Sequence, residues 1–270
     1  MILFLNQNYR WHTSSSIIGE SPGLGLKPGQ APEKIESSMI QYNKEKAGDG
    51  LKVKSEDGKI DGYAQWVARA DEFLQKIKDE QAKGTPESCS VGNGATKDKV
   101  CKFDTAILDA CLDPEAAYKA GSPCVYLKLN KIYGLEPTTF NKTYVSTLTD
   151  DKMPKTLRDH IAGQADDDQV WVECHGENPA DVEALSGKIN YFPKTQGYPA
   201  YYFPYLQQEG YVSPVVAVQF KGVPLNQLIH IECRAWASNI GYNRRDRIGI
   251  NHLEIMVMDV AGEESTIGSS

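Results

Sequence analysis

Two stretches late in the chain alternate between apolar and polar positions with a period of two. Val216, Val218 and Phe220 share one side of the first. Ile229, Ile231, Cys233 and Ala235 share one side of the second, and His230, Glu232 and Arg234 take the other. The KGVPLNQ segment between them is rich in turn formers, so the pair reads as two β-strands joined by a short connection. Charge on one side of a two-residue period predicts a sheet packed on one face and wetted on the other. Cys233 falls on the apolar side, where a small hydrophobe or half of a buried disulfide would sit. The period recurs at 124–129, with Val125, Leu127 and Leu129 together, and at 170–174, with Val172 and Cys174 opposite Trp171 and Glu173. It recurs again at 252–260, with Leu253, Ile255 and Val257 toward the core.

A helical period stands out in one place. Tyr63, Trp66, Val67, Ala70, Phe73, Leu74 and Ile77 form a single stripe, which predicts a helix over 61–84 that packs against a sheet. Asp61 can cap its start, and Gly84 can end it with Pro86 just beyond. Residues 6–38 are polar and rich in Gly, Pro and Ser, and read as an extended linker or stalk. Residues 89–124 read as loop-rich, and 146–168 as surface structure with a short helix. The expected division is a stalk over 1–38, a folded domain over 39–262 and a frayed tail over 263–270. One long helix among irregularly spaced alternating strands predicts a mainly β fold, an antiparallel sandwich with an inserted helix.

Composition narrows the class. The chain has 270 residues, 40% of them hydrophobic and 24% charged, which suits a globular fold with a sizeable core. A net charge of −7 argues against a nucleic-acid partner. Six cysteines stand at 89, 101, 111, 124, 174 and 233 without a C-x-x-C pair, so neither a zinc ribbon nor a thioredoxin motif fits. An even count permits about 15 disulfide pairings. Asn141-Lys142-Thr143 is the single N-x-[ST] sequon. Disulfides and a glycan both require an oxidising compartment. Met1-Ile2-Leu3-Phe4-Leu5 is far shorter than the ~20 apolar residues of a span and lacks the basic region of a signal peptide. The expectation is a fragment whose membrane span lies upstream of Met1.

Catalytic motifs are missing. GLGLKPG lacks the Gly-Lys-Ser/Thr ending of a phosphate loop, and no H-E-x-x-H or G-x-S-x-G occurs. His230 and Glu232 share a strand face and could pass a proton, but two such residues on an exposed face read as plain surface. Nothing calls for a cofactor or metal, and the chain reads as a non-enzyme. The strongest functional signal is aromatic. Residues 191–211 hold eight of the aromatics, and the run at 197–205 carries two prolines, so it cannot be wholly an interior strand. Such rings either form an interface or cover the edge of the sandwich.

SPGLGLKP, PCVYLKLNKIYG, GENPAD, YYFPY, EGYVSPVVAVQF and IECRAWASNI follow one another through the chain. Together they resemble the β subunit of the sodium/potassium-transporting ATPase, in its nervana-like invertebrate form, over 17–260. The resemblance implies a glycoprotein with a cytoplasmic tail, one membrane span and an extracellular immunoglobulin-like sandwich carrying a long helix. It implies no catalysis: the phosphorylated D-K-T-G-T motif belongs to the catalytic α subunit, and Asp151-Lys152-Met153-Pro154 is only an echo of it. The implied roles are assembly of the α subunit, its delivery to the plasma membrane, and modulation of sodium export and potassium import. A cell-junction adhesion glycoprotein is the alternative within the same family. The resemblance selects the pairing Cys89–Cys101, Cys111–Cys124 and Cys174–Cys233, and the apolar strand phases of Cys174 and Cys233 agree with its last member. It places a glycan on Asn141 and the α contact at Tyr201, Tyr202, Phe203, Pro204 and Tyr205. The stalk at 22–28 is a second candidate contact.

Overall fold

The computed structural model describes residues 21–28, 39–48, 62–166 and 168–259. Nine strands form among them: β1 (Leu24–Lys27), β2 (Met39–Asn43), β3 (Cys124–Leu129), β4 (Gln169–Gly176), β5 (Ile189–Phe192), β6 (Gly197–Pro199), β7 (Val215–Phe220), β8 (Leu228–Trp236) and β9 (Ile250–Met258). The helices are α1 (Ala64–Gln81), α2 (Pro114–Lys119), α3 (Lys142–Val145), α4 (Lys155–Gly163) and α5 (Pro179–Leu185). A four-stranded sheet runs β1-β3-β7-β5 and a five-stranded sheet runs β2-β9-β8-β4-β6. All pairs are antiparallel except β2–β9, which is parallel. The fold is mainly β, with few helices.

The shared core is the alternating set read from the sequence. Val125, Leu127, Leu129, Val216, Val218 and Phe220 from one sheet meet Val172, Cys174, Ile229, Ile231, Cys233, Ala235, Leu253, Ile255 and Val257 from the other. Burying each Val, Leu, Ile or Phe side chain among them contributes roughly 1.5–3 kcal/mol.

The four-stranded sheet is not wetted on its far face. Tyr126 of β3 and Val215 and Ala217 of β7 pack there against Ala70, Phe73, Leu74 and Ile77 of α1. The run Val215-Val216-Ala217-Val218 is apolar at every position because both of its faces are covered. Helix α1 is shorter than expected at both ends. The Asp61 cap lies outside the described residues, and Tyr63 stands at the N-cap without a side-chain bond. Gly84 lies beyond the helix, where a Cβ would sit 2.3 Å from the Glu209 carbonyl oxygen, so close approach requires glycine there.

Residues 24–27, expected within an extended stalk, form the edge strand β1. Leu24 pairs opposite Leu129, and Leu24 and Leu26 are buried in the shared core. Gly23 and Gly25 let the strand lie close to Asn130: a Cβ on Gly25 would meet its Oδ1 at 3.0 Å. Stalk residues 1–20 and 29–38 and the 263–270 tail lie outside the described residues. The 146–168 region does hold a short helix, α4. Its Leu157 and Ile161 join Val145 and Met153 over Trp171 and Trp236, so the outer face of β4 is covered as well.

All six cysteines are paired as the resemblance implied. Cys89–Cys101 and Cys111–Cys124 staple the loop-rich segment, and Cys174–Cys233 joins directly opposed positions of β4 and β8 inside the core. Among the described residues no helix is long and apolar enough to cross a membrane.

Candidate functional site

The aromatic run leaves β6 as a single turn of 3-10 helix, Ala200–Tyr202, and then crosses from the five-stranded sheet toward the disulfide loops. Tyr201 accepts a hydrogen bond at its backbone carbonyl from Ala95 N, 2.8 Å away. Tyr202 turns inward. It is 6% exposed, packs edge-on against Phe103, and donates its hydroxyl to the Lys102 carbonyl at 3.2 Å. Phe203 wedges between the two core clusters. Gln208 Nε2 holds the Pro204 carbonyl at 3.1 Å and the Thr96 carbonyl at 2.8 Å. Tyr205 packs on Tyr211, and Lys131 Nζ lies over both rings at 5.1 and 5.2 Å.

The five residues expected as one contact therefore divide. Tyr202 belongs to the interior, whereas Tyr201, Phe203, Pro204 and Tyr205 are half-buried and keep part of their surface in solvent. Tyr133, 46% exposed, bridges to Tyr205 and widens this aromatic surface. The second expected contact, 22–28, is committed in part to β1.

Asn141 is exposed and caps α3: its Oδ1 accepts from Tyr144 N at 2.8 Å. N-linked sugars attach through Nδ2, so the cap leaves the acceptor atom of this sequon free to carry one. Phe140 and Tyr144 stack beside it, with ring planes 7° apart.

The outer face of β8 and β9 holds the group that sequence reasoning passed over. His230-Ile231-Glu232 and His252-Leu253-Glu254 lie antiparallel, so His230 stands opposite Glu254 and Glu232 opposite His252. His230 and Glu232, weighed as a proton-transfer pair, each face the other strand instead. His230 Nδ1 and His252 Nε2 both lie 3.4 Å from Glu254 Oε1. Glu232 is 6% exposed and accepts from the Tyr242 hydroxyl at 3.1 Å. Arg234 is held between the rings of Trp236 and Tyr242, at 3.6 and 4.5 Å.

Glu177, in the loop after β4, completes this face. Its carboxylate accepts from His252 Nδ1 and from Arg244. Burial works against its charge, but those two bonds and their positive charges outweigh it and hold the carboxyl below its usual range. The loop is fixed by local sequence. Asn178 caps α5 with Pro179 at the first helical position, and Asp181 accepts from the His230 backbone N–H at 3.2 Å. Gly176 must be glycine, because a Cβ would meet Asp181 and Val182 backbone atoms at 2.3 Å. The one available signal was the recurrence of His-x-Glu in two strands; only their register reveals that the two tripeptides face each other.

The comparisons with known proteins agree with this framework. Residues 1–252 match the family model described as sodium/potassium ATPase beta chain. The chain is 34% identical over 261 residues to the sodium/potassium-transporting ATPase subunit beta-2 of Drosophila melanogaster, covering 92% of this chain and 74% of that protein. It is also 34% identical, over 253 residues, to subunit beta-1 of the same species, with the same shares of each chain. The probable subunit beta-3 of Caenorhabditis briggsae is 27% identical over 253 residues, covering 93% of this chain and 70% of its own.

Proposed function

The chain belongs to the sodium/potassium ATPase beta-chain family, accessory subunits without catalysis of their own, and on that premise we propose that it assembles with a catalytic α subunit and carries it to the plasma membrane. In this reading the sandwich is extracellular and its anchor is a single membrane span. Once assembled, the subunit modulates sodium export and potassium import. The observation that carries the reading is the family match over residues 1–252. Three disulfides and an exposed sequon suit an extracellular domain.

The contact surface in this reading is the half-buried aromatic seam of Tyr201, Phe203, Pro204 and Tyr205, backed by Tyr202. Tyrosine rings supply large contact area with a polar tip, which suits a wet interface. Co-precipitation of an α subunit with the chain tests assembly. Tyr201→Ala or Tyr205→Ala should weaken recovery by on the order of 1–3 kcal/mol, while a distant exposed change such as Val182→Ala does not. Tyr202→Ala is unsuited to the purpose, since it opens the core. A folded Tyr201→Ala, Tyr205→Ala double variant that recovers α at the unmutated level would place the interface elsewhere.

A further inference from the structure

We propose that His230, His252 and Glu254 form a binding site for a zinc-type divalent cation on the outer face of the five-stranded sheet. Their ligand atoms all lie within 4.8 Å of one another. Zinc bound to nitrogen and oxygen at 2.0–2.1 Å in a tetrahedron sets its ligand atoms about 3.3–3.4 Å apart. Two of the three separations already have that value: His230 Nδ1 and His252 Nε2 are each 3.4 Å from Glu254 Oε1. The two imidazoles are roughly stacked, with centroids 6.1 Å apart and planes 25° apart. The third separation lies within 4.8 Å, and turning the imidazoles about their side-chain bonds is what a cation would use to close it. The fourth position opens to solvent and takes a water.

The second observation concerns the other nitrogen of His252. Glu177 accepts from His252 Nδ1, and a carboxylate is only an acceptor, so Nδ1 carries the hydrogen. Nε2 faces the Glu254 carboxylate at 3.4 Å and by the same rule holds a hydrogen before a cation arrives, so the cation binds there by displacing that proton while Glu177 keeps the other on Nδ1. A carboxylate on the far nitrogen of a metal-bound imidazole fixes the tautomer and raises the basicity of the ligand. Glu177 is itself steadied by Arg244 and by its own backbone, whose N–H donates to the His230 carbonyl at 3.0 Å. All three ligands sit on adjacent strands in fixed register, so little ordering is needed when a cation arrives. Two imidazoles and one carboxylate favour zinc over magnesium or calcium, which take oxygen ligands.

The test is a zinc chloride titration of the untagged, disulfide-bonded chain, read by competition with a chromophoric chelator and repeated with cobalt(II) for its visible absorption. One zinc should bind, and cobalt should give the absorption of a four-coordinate site. Glu254→Gln and His252→Ala should each weaken zinc at least tenfold. Glu177→Gln, which touches no metal, should weaken it by about 10- to 100-fold. His175→Ala, outside the cluster, should leave it unchanged. Far-ultraviolet circular dichroism of each variant establishes that the sheet is intact; the nearly isosteric Glu254→Gln keeps the test decisive if a histidine variant misfolds. Zinc affinity that is the same in folded Glu254→Gln as in the unmutated chain overturns the site. So does binding that is lost in His175→Ala.

Discussion

Removing the Cys174–Cys233 bridge should cost more stability than removing either of the other two, because of the chain it closes and not because of the strands it joins. The perturbation is the double change Cys174→Ala, Cys233→Ala, which leaves no free thiol. In the folded protein the two cysteines oppose each other across β4 and β8, flanked by Val172 opposite Ala235 and Gly176 opposite Ile231. The ladder holds the strands together with or without the sulfurs. The loss therefore falls on the unfolded chain, whose loop is released. A sequence separation of 59 gives about 4 kcal/mol in the chain-entropy model, against about 3 kcal/mol for the separations of 12 and 13 closed by the other bridges. The sulfurs are buried in the core, so a small cavity adds ~1 kcal/mol. Single domains are stable by only about 5–15 kcal/mol, so this is a large fraction of the whole. Urea unfolding followed by tryptophan fluorescence measures it. The midpoint should fall furthest for this variant, and the m-value should rise as the denatured chain expands. If the Cys89→Ala, Cys101→Ala variant loses as much or more, with m unchanged in both, the entropic account is wrong.

Three further outcomes follow from the site geometry. Thr143→Ala should abolish an Asn141 glycan without touching the α3 cap, whereas Asn141→Gln should remove both and cost about 1 kcal/mol more; a glycosidase-sensitive shift surviving Thr143→Ala refutes the assignment. The hydrogen bond with Glu173 raises the His175 pKa against the opposing effect of burial, with Glu173, Glu232 and Glu177 adding attraction. That contribution is complete below the unfolded value of about 6.5 and is lost as pH rises through the raised folded value, so His175→Gln should flatten the decline of stability over that window; equal slopes in both proteins would contradict it. Gly176→Ala should destabilise by several kcal/mol, because the added Cβ meets backbone that cannot step aside; a urea midpoint within error of the unmutated protein would show that α5 can shift.

Much of the sandwich was legible in the sequence because β9 alternates cleanly, and the positions of β3, β8 and β9 read as core-facing are buried ones. The wetted outer face expected of this strand pair fails at β7, where Val215 and Ala217 are buried as well. A run apolar at every position signals a strand covered on both faces, and the cover, α1, comes from more than a hundred residues earlier. Leu24 and Leu26 were hidden by the glycines around them, which carry the composition of a linker while serving a close strand contact. Tyr202 could not be separated from Tyr201 and Tyr205 by composition, since a 3-10 turn decides which ring points inward. The His-x-Glu tripeptides were visible as residues but not as a cluster. Their proximity is a property of register, which neither strand specifies alone.

The order of strands in the five-stranded sheet bears on how the molecule is made. β2 is synthesised well before its partner β9, with Gln41 and Met256 in contact across 215 positions. β9 also lies between β2 and β8. While the ribosome is still extending the chain, Ile40 and Tyr42 have no strand to cover them, and β8 shows an unpaired edge. Contacts between such distant positions form slowly, and an open edge is a template for association with other chains. Translation stopped before residue 250 would leave both hazards permanent.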